Sequence, residues 1–363
     1  MKSVESYKFE LYPLTTLFIG SQEAWEPYEY VLKDGHIVKV KTTQLLNRLA
    51  SRSMSEVESY TNAAASQPVD AVAMIDREVL QDGTLVEEAF PAPADFASAY
   101  AEKIRTSVDV LAIRMPCRHR SNAYIPGSSL KGSIRTAFYA LMGNALGYPS
   151  EAEVFGYGTG EGYSRTMFND PFKRFKISDV PVPHRMLGLK TISQFNIKLN
   201  KPGAPDSYAV CVGGLMSNFN DDPLALIPTL PHRGELKLEG DVKFVTYFEE
   251  MKDKLNVPGI MHATRTFSRG IVEYEMKQPL VGPWYQRFFN AIAPLMQMPD
   301  VTLIRVGAGS GRMGTSVLIY NDQVVAAEIG SERTNVSKNP HPATRKLADG
   351  IPMGWALLRF IHQ

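Results

Sequence analysis

The sequence predicts an α+β fold divided into two units, and three observations support this prediction. The chain has 363 residues, which at roughly 150 residues per domain corresponds to about two domains. Runs with the two-residue period of a strand alternate with runs of helical periodicity. The pattern changes near residues 185–205, so we expect an N-terminal domain over residues 1–195 and a C-terminal domain over residues 196–363.

In the first hundred residues, one strand and one helix are predicted. Tyr7–Ile19 mixes aromatic and β-branched residues in partial alternation, as a half-buried strand does, and a Gly-Ser pair follows it. Thr42–Tyr60 places four apolar residues on one helical face and offers a threonine as N-cap. Ala63–Pro93 is acidic and weakly periodic, and it is therefore predicted to contain surface connections.

The central segment is predicted to contain a loop and a helix between two strands. Ser107–Arg114 has the composition of a strand. Ala123–Gly143 begins with a Pro-Gly turn, and its apolar residues then recur at spacings of four, four and three. This spacing indicates a helix, which Ser128 or Ser129 would cap. Phe172–Val182 reads FKRFKISDVPV, which predicts a basic strand.

Beyond residue 200, strands and helices are predicted in turn, with a second glycine cluster between the last two strands. The cluster reads GAGSGRMG over residues 307–314. The predicted strands are Ser207–Val212, Glu235–Val242, Val301–Val306 and Ser316–Tyr320, and the predicted helices are Val245–Leu255 and Trp284–Met298.

The composition excludes several classes of protein. Hydrophobic residues make up 44% of the chain and charged residues 21%, values typical of a folded globular protein. No long apolar run predicts a membrane span, and residues 1–10 lack the apolar core of a signal peptide, so we expect a cytoplasmic location. Cys117 and Cys211 have no CxxC spacing and the histidines form no HExxH pair. We therefore expect no metal and no other cofactor.

The net charge of +1 conceals an uneven distribution of charge. Residues 1–100 hold 8 Lys and Arg against 15 Asp and Glu, a balance of −7. Residues 101–200 hold 14 against 7, a balance of +7, and residues 201–363 hold 17 against 16. A basic central block in a neutral chain points to an anionic partner. We expect the acidic first third to face a basic neighbouring protein.

The loop at residues 127–132, GSSLKG, and the helix after it have the groups needed to hold a phosphate. Backbone amides at a helix N-terminus and the two serine hydroxyls are suitable donors. Lys131 and Arg135 are four residues apart and therefore lie on one side of the helix. The alternative is a capped amphipathic helix with solvated charges. Cations near a helix N-terminus oppose the helix dipole, which favours a role for them with a partner.

The second glycine cluster admits several interpretations. GSGRMGTS, over residues 309–316, departs from a P-loop because Thr315 stands where a lysine would meet the phosphates. A dinucleotide-binding motif would open a helix, whereas a predicted strand follows here. A plain hairpin turn stays open. A phosphate-binding loop also stays open, in which Arg305 and Arg312 flank exposed backbone amides.

Three further residues, one histidine and two aspartates, have ionisable side chains of the kind found in catalytic sites. His119, between two arginines, has the imidazole of a general base acting on RNA, and the alternative is an exposed histidine in a basic loop. Asp170 and Asp179 flank the predicted basic strand, where capping or turn formation is the ordinary role of aspartate.

Residues 125–137, IPGSSLKGSIRTA, resemble the signature loop and helix of the RAMP superfamily of CRISPR-associated RNA-binding proteins. Other segments resemble the capping subunit of type III-A effector complexes, the Csm complexes. YKFELYPLTTLFIG at residues 7–20 resembles its opening strand and turn, with Phe18 where histidine is common. The remaining similar segments are EYV at residues 29–31, DPFKRFKISD at 170–179, residues 304–314 and PMGW at 352–355.

The resemblance implies a fold and a role. The fold would be two ferredoxin-like (RRM-like) units with irregular insertions, each a βαββαβ sheet with helices on one face. The role would be that of a non-catalytic subunit that caps the backbone filament at the 3′ end of the CRISPR RNA and supports its maturation and antiviral defence. Sequence would be recognised by pairing between guide and target, while the protein holds the ribose-phosphate chain.

The resemblance also implies partners and contact residues. The partners would be CRISPR RNA, target RNA through guide pairing, the adjacent backbone subunit and the small subunit, with host trimming nucleases left open and no membrane. The residues expected to contact guide phosphates are Gly127, Ser128, Ser129, Lys131, Gly132 and Arg135. The basic surface would be extended by Arg118, Arg120, Lys173, Arg174, Arg305 and Arg312, together with the loop residues Gly307, Gly309 and Gly311.

Two other functions stay open from the sequence. A metal-independent endoribonuclease that processes precursor CRISPR RNA would share the ferredoxin-like units and a C-terminal glycine loop, and would use a histidine as general base. A backbone subunit of the same complexes would be present in several copies per RNA. The target-cleaving aspartate of backbone subunits is not carried over, because no aspartate here lies in a matching motif.

Overall fold

A computed structural model describes residues 4–104, 111–146, 170–197, 201–202, 207–216, 232–239, 255–315 and 344–361. It confirms the α+β class, because helices and strands are mixed along the described chain. The helices are α1 (Thr42–Arg52), α2 (Met54–Ser66), α3 (Pro68–Gln81), α4 (Phe96–Lys103), α5 (Gly127–Leu146), α6 (Val257–Met276), α7 (Gly282–Met296) and α8 (Gly311–Thr315).

The strands form two large sheets and two small ones. They are β1 (Val4–Pro13), β2 (Gly20–Trp25), β3 (Tyr30–Lys33), β4 (His36–Val40), β5 (Val86–Pro91), β6 (Ile113–Pro116), β7 (Arg118–His119), β8 (Asn122–Ile125), β9 (Phe175–Ile177), β10 (Val180–Val182), β11 (Leu187–Asn196), β12 (Lys201–Pro202), β13 (Ser207–Val212), β14 (His232–Glu239), β15 (Val301–Arg305), β16 (Thr344–Ala348), β17 (Ile351–Pro352) and β18 (Trp355–Ile361).

The five-stranded sheet has the order β15-β18-β1-β14-β9, with every neighbouring pair antiparallel. The strand predicted over Tyr7–Ile19 is β1, which ends at Pro13. Proline has no backbone N–H with which to continue the ladder. Beyond β1, Leu17 makes only an isolated bridge with Val212.

Helices α5, α6 and α7 contribute with this sheet to the largest hydrophobic core. Phe9 and Leu11 of β1, Ile134 and Phe138 of α5, and Phe288 of α7 are each at most 1% exposed. Burying one such side chain contributes about 1.5–3 kcal/mol relative to leaving it in water. The core therefore fixes α5 firmly against the sheet.

The apolar periodicity of the sequence does not predict α6, although this helix lies in the core. The Asn256 side chain caps it by accepting the Gly259 N–H at 2.8 Å. Its buried face includes Thr264 and Ser268, whose hydroxyls bond to the Thr302 hydroxyl and a backbone carbonyl of β15. Polar residues at buried positions weaken the periodicity on which a helix prediction depends. The helix predicted over residues 245–255 falls mainly outside the described residues.

The seven-stranded sheet has the order β17-β16-β11-β13-β6-β2, with β12 paired to β11. Only β6 and β13 among the described pairs are parallel. Strand β13 has the predicted bounds Ser207–Val212, and β6 begins after the undescribed residues 105–110. The side chains of Ile113, Met115, Tyr208 and Val210 are buried in a second core.

The basic strand predicted over Phe172–Val182 is instead three short elements. A 3-10 turn at Pro171–Arg174 is followed by β9 and, after a two-residue break, by β10. Asp170 starts the turn by accepting the Phe172 N–H at 2.9 Å. Its predicted ordinary role in capping is confirmed.

Residues 30–91 form an additional unit in which strands β3-β4-β5 pack with helices α1 to α3. The helix predicted over Thr42–Tyr60 is broken at Ser53, which is extended and caps α2 by accepting the Glu56 N–H. The surface connections predicted within Ala63–Pro93 are short, because most of this stretch forms α3 and β5.

A buried carboxylate accounts for the weak periodicity of α3. Glu78 is 0% exposed and accepts hydrogen bonds from Arg52 at 2.7 and 3.1 Å. Arg48 lies 2.9 Å from the same carboxylate. A charge normally marks the solvent face of a helix, so Glu78 obscures the apolar stripe formed by Ala71, Ile75 and Val79.

Both large sheets draw strands from either side of residue 195. In the five-stranded sheet β1 pairs with β14 and β18, and in the seven-stranded sheet β6 pairs with β13. The division into units 1–195 and 196–363 stays a prediction. Within the described ranges, no helix is both long and apolar enough to cross a membrane. The predicted strand Ser316–Tyr320 falls outside the described residues.

Candidate nucleic-acid interface

Helix α5 begins at Gly127, before either serine that the sequence offers as its cap. Asp179 takes this role from the break between β9 and β10, because its Oδ1 accepts the Gly127 N–H at 2.8 Å. The predicted cap at Ser128 or Ser129 is therefore wrong, and the ordinary capping role of Asp179 is confirmed. A Cβ on Gly127 would lie 2.2 Å from the Ile177 carbonyl oxygen, so two backbones meet here too closely for a side chain.

The Asp179 cap changes what the start of α5 can bind. Its carboxylate occupies the first amide and lies at the positive end of the helix dipole. An anionic ligand would therefore be attracted by the side chains of the first two turns rather than by the Gly127 amide. Ser128 in these turns is exposed and Ser129 is half-buried.

Arg135 is held by an acidic partner. Its Nη1 donates to both carboxylate oxygens of Asp170, at 2.9 and 2.7 Å, and its guanidinium lies 5.3 Å from the centre of the Phe172 ring. The side chain is 20% exposed. Arg135 therefore fastens α5 to the turn before β9, with only an edge of the guanidinium in solvent.

Lys131 and Lys176 lie near each other beside the start of α5, and we call them the α5 lysine pair. Lys131 is half-buried on the helix and Lys176 is exposed on β9. Burial lowers the pKa of Lys131, and the positive charge of Lys176 lowers it further. Two like charges at a partly buried position are unfavourable, and an anion bound between them would neutralise both. Lys173, in the turn before β9, is also exposed.

Gly132 leaves open space next to Lys131. The residue is exposed in α5, and a Cβ added to it would meet nothing within 4 Å. Glycine in a helix costs about 0.5–1 kcal/mol relative to alanine. No packing within the described chain requires this glycine, but its bare backbone would let another backbone approach Lys131 closely.

Strands β7 and β8 form a hairpin that carries Arg118, His119 and Arg120. Arg118 is only 11% exposed and pairs with Glu88 of the additional unit at 3.2 Å. Arg120 is exposed in the turn with a φ of 56°. His119 is exposed beside it, which agrees with the interpretation as a histidine of a basic loop. In this hairpin Arg120 is accessible to a ligand, whereas Arg118 binds the hairpin to the additional unit.

The structure places Arg305 in the interior. Its side chain is 2% exposed, its guanidinium lies 5.1 Å from the Trp355 ring centre, and its Nη1 lies 3.8 Å from a Glu275 oxygen. Arg345 is buried against the same carboxylate, with Nε 2.7 Å from its Oε1. Arg305 thus has a structural position, and the expected contact with RNA has no exposed group to make it.

The second glycine cluster forms two helical turns, so the hairpin alternative is wrong for residues 307–315. Gly307 has a φ of 76°, and a Cβ on it would lie 2.4 Å from the Phe18 carbonyl oxygen. A Cβ on Gly309 would lie 2.2 Å from the Met353 carbonyl oxygen. Both glycines are therefore needed for packing.

The two glycine motifs of the sequence are neighbours in space. The Ser133 hydroxyl of α5 donates to the Arg305 carbonyl at 3.1 Å, just before the second cluster. Gly311 is exposed with open space around it, and Arg312 lies next to it in α8. Arg174 lies in the 3-10 turn before β9. The side chains of Arg174 and Arg312 are outside the described set.

Sequence reasoning does not find the partners of these cations. Asp170, Glu88 and Glu275 are distant in sequence from the arginines they bind, and no local signal connects them. Across the described ranges, no group of three or more His, Cys, Asp or Glu side chains is arranged to hold a metal ion. Among the predicted RNA contacts, the cationic side chains that remain at least partly exposed lie around the start of α5.

A family model identifies the class of protein to which the central region is similar. Residues 117–253 match the model of the RAMP superfamily, and this range includes all of α5 and the α5 lysine pair. The resemblance that the loop and helix predict is therefore confirmed.

Solved structures with the same fold are more specific. One is a chain of the cryo-EM structure of a Csm-crRNA-target RNA ternary complex in a type III-A CRISPR-Cas system, with 17% identity, a TM-score of 0.67, and coverage of 97% of this chain and 100% of that chain. Another is the crystal structure of T. onnurineus Csm5, with 17% identity, a TM-score of 0.62, and coverage of 97% and 99%. No curated protein sequence matches the chain. The fold of this chain is therefore similar to that of the matched chain of the Csm complex and to that of Csm5.

Proposed function

We propose that the chain is a non-catalytic RNA-binding subunit of a type III-A CRISPR effector complex, which caps the backbone filament at the 3′ end of the CRISPR RNA. One observation carries the proposal: the fold matches, over 97% of this chain, a chain of a Csm-crRNA-target RNA complex. The likeness extends over the whole length of that chain, so it includes the elements that surround α5.

The cations around α5 support RNA binding. The α5 lysine pair combines two like charges at a partly buried position, beside a glycine whose bare backbone faces open space. A ribose-phosphate chain supplies both the negative charge and the narrow backbone that this geometry accommodates. Ser128, Lys173 and Arg120 are exposed and would extend the contact.

The proposal includes partners other than the guide. Target RNA would be recognised through pairing with the guide, and the adjacent backbone subunit and the small subunit would contact the protein surface, with the complex in the cytoplasm. The additional unit at residues 30–91 belongs to the acidic part of the chain. We assign it to contact with a basic neighbouring subunit.

The RNA-binding part of the proposal is tested with the purified chain and a labelled single-stranded RNA. Changing the half-buried Lys131 or the exposed Lys176 to Gln removes one cation, and in the described part of the chain neither change removes a hydrogen bond or an ion pair. For each lost phosphate contact, we expect the slope of log affinity against log salt to flatten by about 0.7. Lys277→Gln is the matched control, because Lys277 is an exposed lysine at the end of α6. Unchanged slopes in both α5 variants would contradict the proposal.

The capping role is tested by the composition of the assembled complex. Native mass spectrometry of the complex purified through this chain should show one copy per guide RNA. Several copies per RNA would identify a backbone subunit instead. Incubation of the chain with labelled repeat RNA in EDTA should leave the RNA intact. Cleavage that His119→Ala abolishes would identify the endoribonuclease.

A further inference from the structure

One face of the seven-stranded sheet carries three cations, on three different strands. In register, Arg114 of β6 pairs with Ala209, and Ala209 pairs with Lys190 of β11. Paired residues share a face of a sheet, and residues two apart on a strand do as well. Lys346 of β16 pairs with Gln194, four residues beyond Lys190, and therefore lies on this same face. We call Arg114, Lys190 and Lys346 the cationic sheet face.

Arg114 is held in position by neutral groups. Its guanidinium lies 5.3 Å from the centre of the Phe18 ring, and its Nη2 donates to the Ser207 hydroxyl at 2.7 Å. Its buried Nε has no hydrogen-bond partner. An aromatic ring and a hydroxyl orient the group but leave its charge uncompensated.

Lys346 lies close enough to Arg114 to be affected by its charge. Burial lowers the pKa of Lys346, and the charge of Arg114 lowers it further. Lys190 has a counter-charge, because its Nζ lies 2.6 Å from Asp349. Within the described ranges, no carboxylate forms an ion pair with Arg114 or Lys346. Within the described residues, Asp349 therefore pairs with Lys190 and leaves the half-buried Arg114 and Lys346 without a carboxylate partner.

Gly188 leaves open space at one position on this face, next to the buried side chain of Cys211. Gly188 of β11 pairs with Cys211, two residues from Ala209, and so lies on the cationic sheet face. A Cβ added to Gly188 would meet nothing within 4 Å, and its φ is one that any residue adopts. Glycine weakens a strand, and inside one it often marks a place where a ligand or another backbone comes close. Neither packing nor backbone geometry in the described chain requires it here.

We propose that the cationic sheet face is a second contact site for RNA. At this site Arg114 and Lys346 bind phosphate groups of the RNA strand, and Gly188 leaves space for the RNA backbone. The inference rests on the proposed function and extends it to a surface distinct from the α5 lysine pair. A guanidinium fixed on an aromatic ring matches the geometry of a phosphate. The lysine across the sheet adds a second charge for a neighbouring phosphate on the same strand.

The test compares the intact chain with Lys346→Gln and Gly188→Asp. Lys346→Gln removes a charge that the fold does not neutralise, and Gly188→Asp adds a carboxylate in open space, so both variants should fold. The probes are a labelled single-stranded RNA without self-complementarity and the same RNA annealed to its complement. Lys346→Gln should flatten the salt slope of log affinity by about 0.7. Gly188→Asp should weaken binding at every salt concentration, and Lys277→Gln should change neither quantity.

The two probes distinguish the source of the phosphates. A change confined to the single strand assigns the site to unpaired guide, and a change confined to the duplex assigns it to guide paired with target. If both variants keep the affinity and slope of the original chain on both probes, this site is wrong while the α5 site can still stand. If the original chain shows no salt-dependent RNA binding at all, the proposed function fails as well.

Discussion

The Nη1 atom of Arg135 in α5 donates to both carboxylate oxygens of Asp170, at 2.9 and 2.7 Å. Asp170 also accepts the Phe172 N–H, so the same carboxylate holds the turn before β9. Arg135, which the sequence predicts as an RNA contact, is thus part of a contact between α5 and the turn before β9. The roles of neighbouring cations on α5 can be separated by experiment.

Arg135→Ala should lower the stability of the protein. The substitution leaves the largely buried Asp170 carboxylate with fewer partners, which costs about 1–3 kcal/mol in the free energy of unfolding. Lys131→Gln should not lower that free energy, because it breaks no bond in the described chain and removes a charge that burial disfavours. Urea denaturation of the two variants measures the difference. Equal stabilities would contradict the structural role of Arg135.

Gly127→Ala and Gly132→Ala should have opposite effects on stability. A Cβ on Gly127 would lie 2.2 Å from a backbone oxygen, so the start of α5 would have to shift. A Cβ on Gly132 meets nothing, and alanine there should stabilise the helix by about 0.5–1 kcal/mol. Thermal unfolding checks both signs. If Gly132 admits the RNA backbone, Gly132→Ala should also weaken RNA binding in the more stable protein.

Glu275→Gln should be among the most destabilising single changes. It removes the carboxylate that faces the buried guanidinium groups of Arg305 and Arg345, and breaking a buried pair in this way costs about 3–5 kcal/mol. Glu273→Gln, on the same helix, is the control, because the pair of Glu273 with Arg269 is exposed and should be worth at most about 1 kcal/mol. Chemical denaturation of both variants gives the comparison. A loss in Glu275→Gln as small as in the control would contradict the buried arrangement.

The contribution of Lys131 to stability should depend on pH. Its pKa is lowered in the folded protein, so the unfolded chain binds the proton more tightly. Stability therefore rises with pH between the folded value and the unfolded value of about 10.4. Below the folded value the full unfavourable contribution is present. Lys131→Gln should remove this rise.

The measurement for Lys131 is the difference in unfolding free energy between the original chain and Lys131→Gln, followed from pH 7 into the alkaline range. Taking the difference cancels the titration of tyrosines, which both proteins share. Lys277→Gln is the reference for an exposed lysine. A difference that stays constant with pH, or that changes in the opposite direction, would contradict the lowered pKa.

The elements that the sequence predicts well are those whose apolar residues follow one period. Strand β13 has the predicted bounds, and β15 and α7 are displaced by two residues or fewer at each end. Helices α3 and α6 escape prediction because buried polar residues interrupt their apolar faces. Glu78 is neutralised by arginines of α1, and Thr264 bonds to Thr302 of β15. Such compensation comes from distant segments and cannot be seen in a local pattern.

The candidate site is predicted in part. The loop and helix at residues 125–137 are located correctly, since their signal is local and specific. Whether each cation is available to RNA depends on whether a carboxylate distant in sequence pairs with it, as Glu88 pairs with Arg118 and Glu275 with Arg305. Lys176 comes near Lys131 because α5 packs against β9, and Lys346 joins the cationic sheet face through strand pairing. Burial and pairing partners are therefore the information that the structure adds.

The pairing of β1 with β18 has a consequence for how the protein is made. The Trp355 N–H bonds to the Thr15 side chain, 340 residues away, and at about 5–20 residues per second the ribosome needs roughly 20–70 s to span that distance. During this time one edge of β1 has no partner, and an unpaired apolar strand is prone to aggregate. This edge of β1 therefore stays exposed on the nascent chain until β18 has been synthesised and leaves the ribosome.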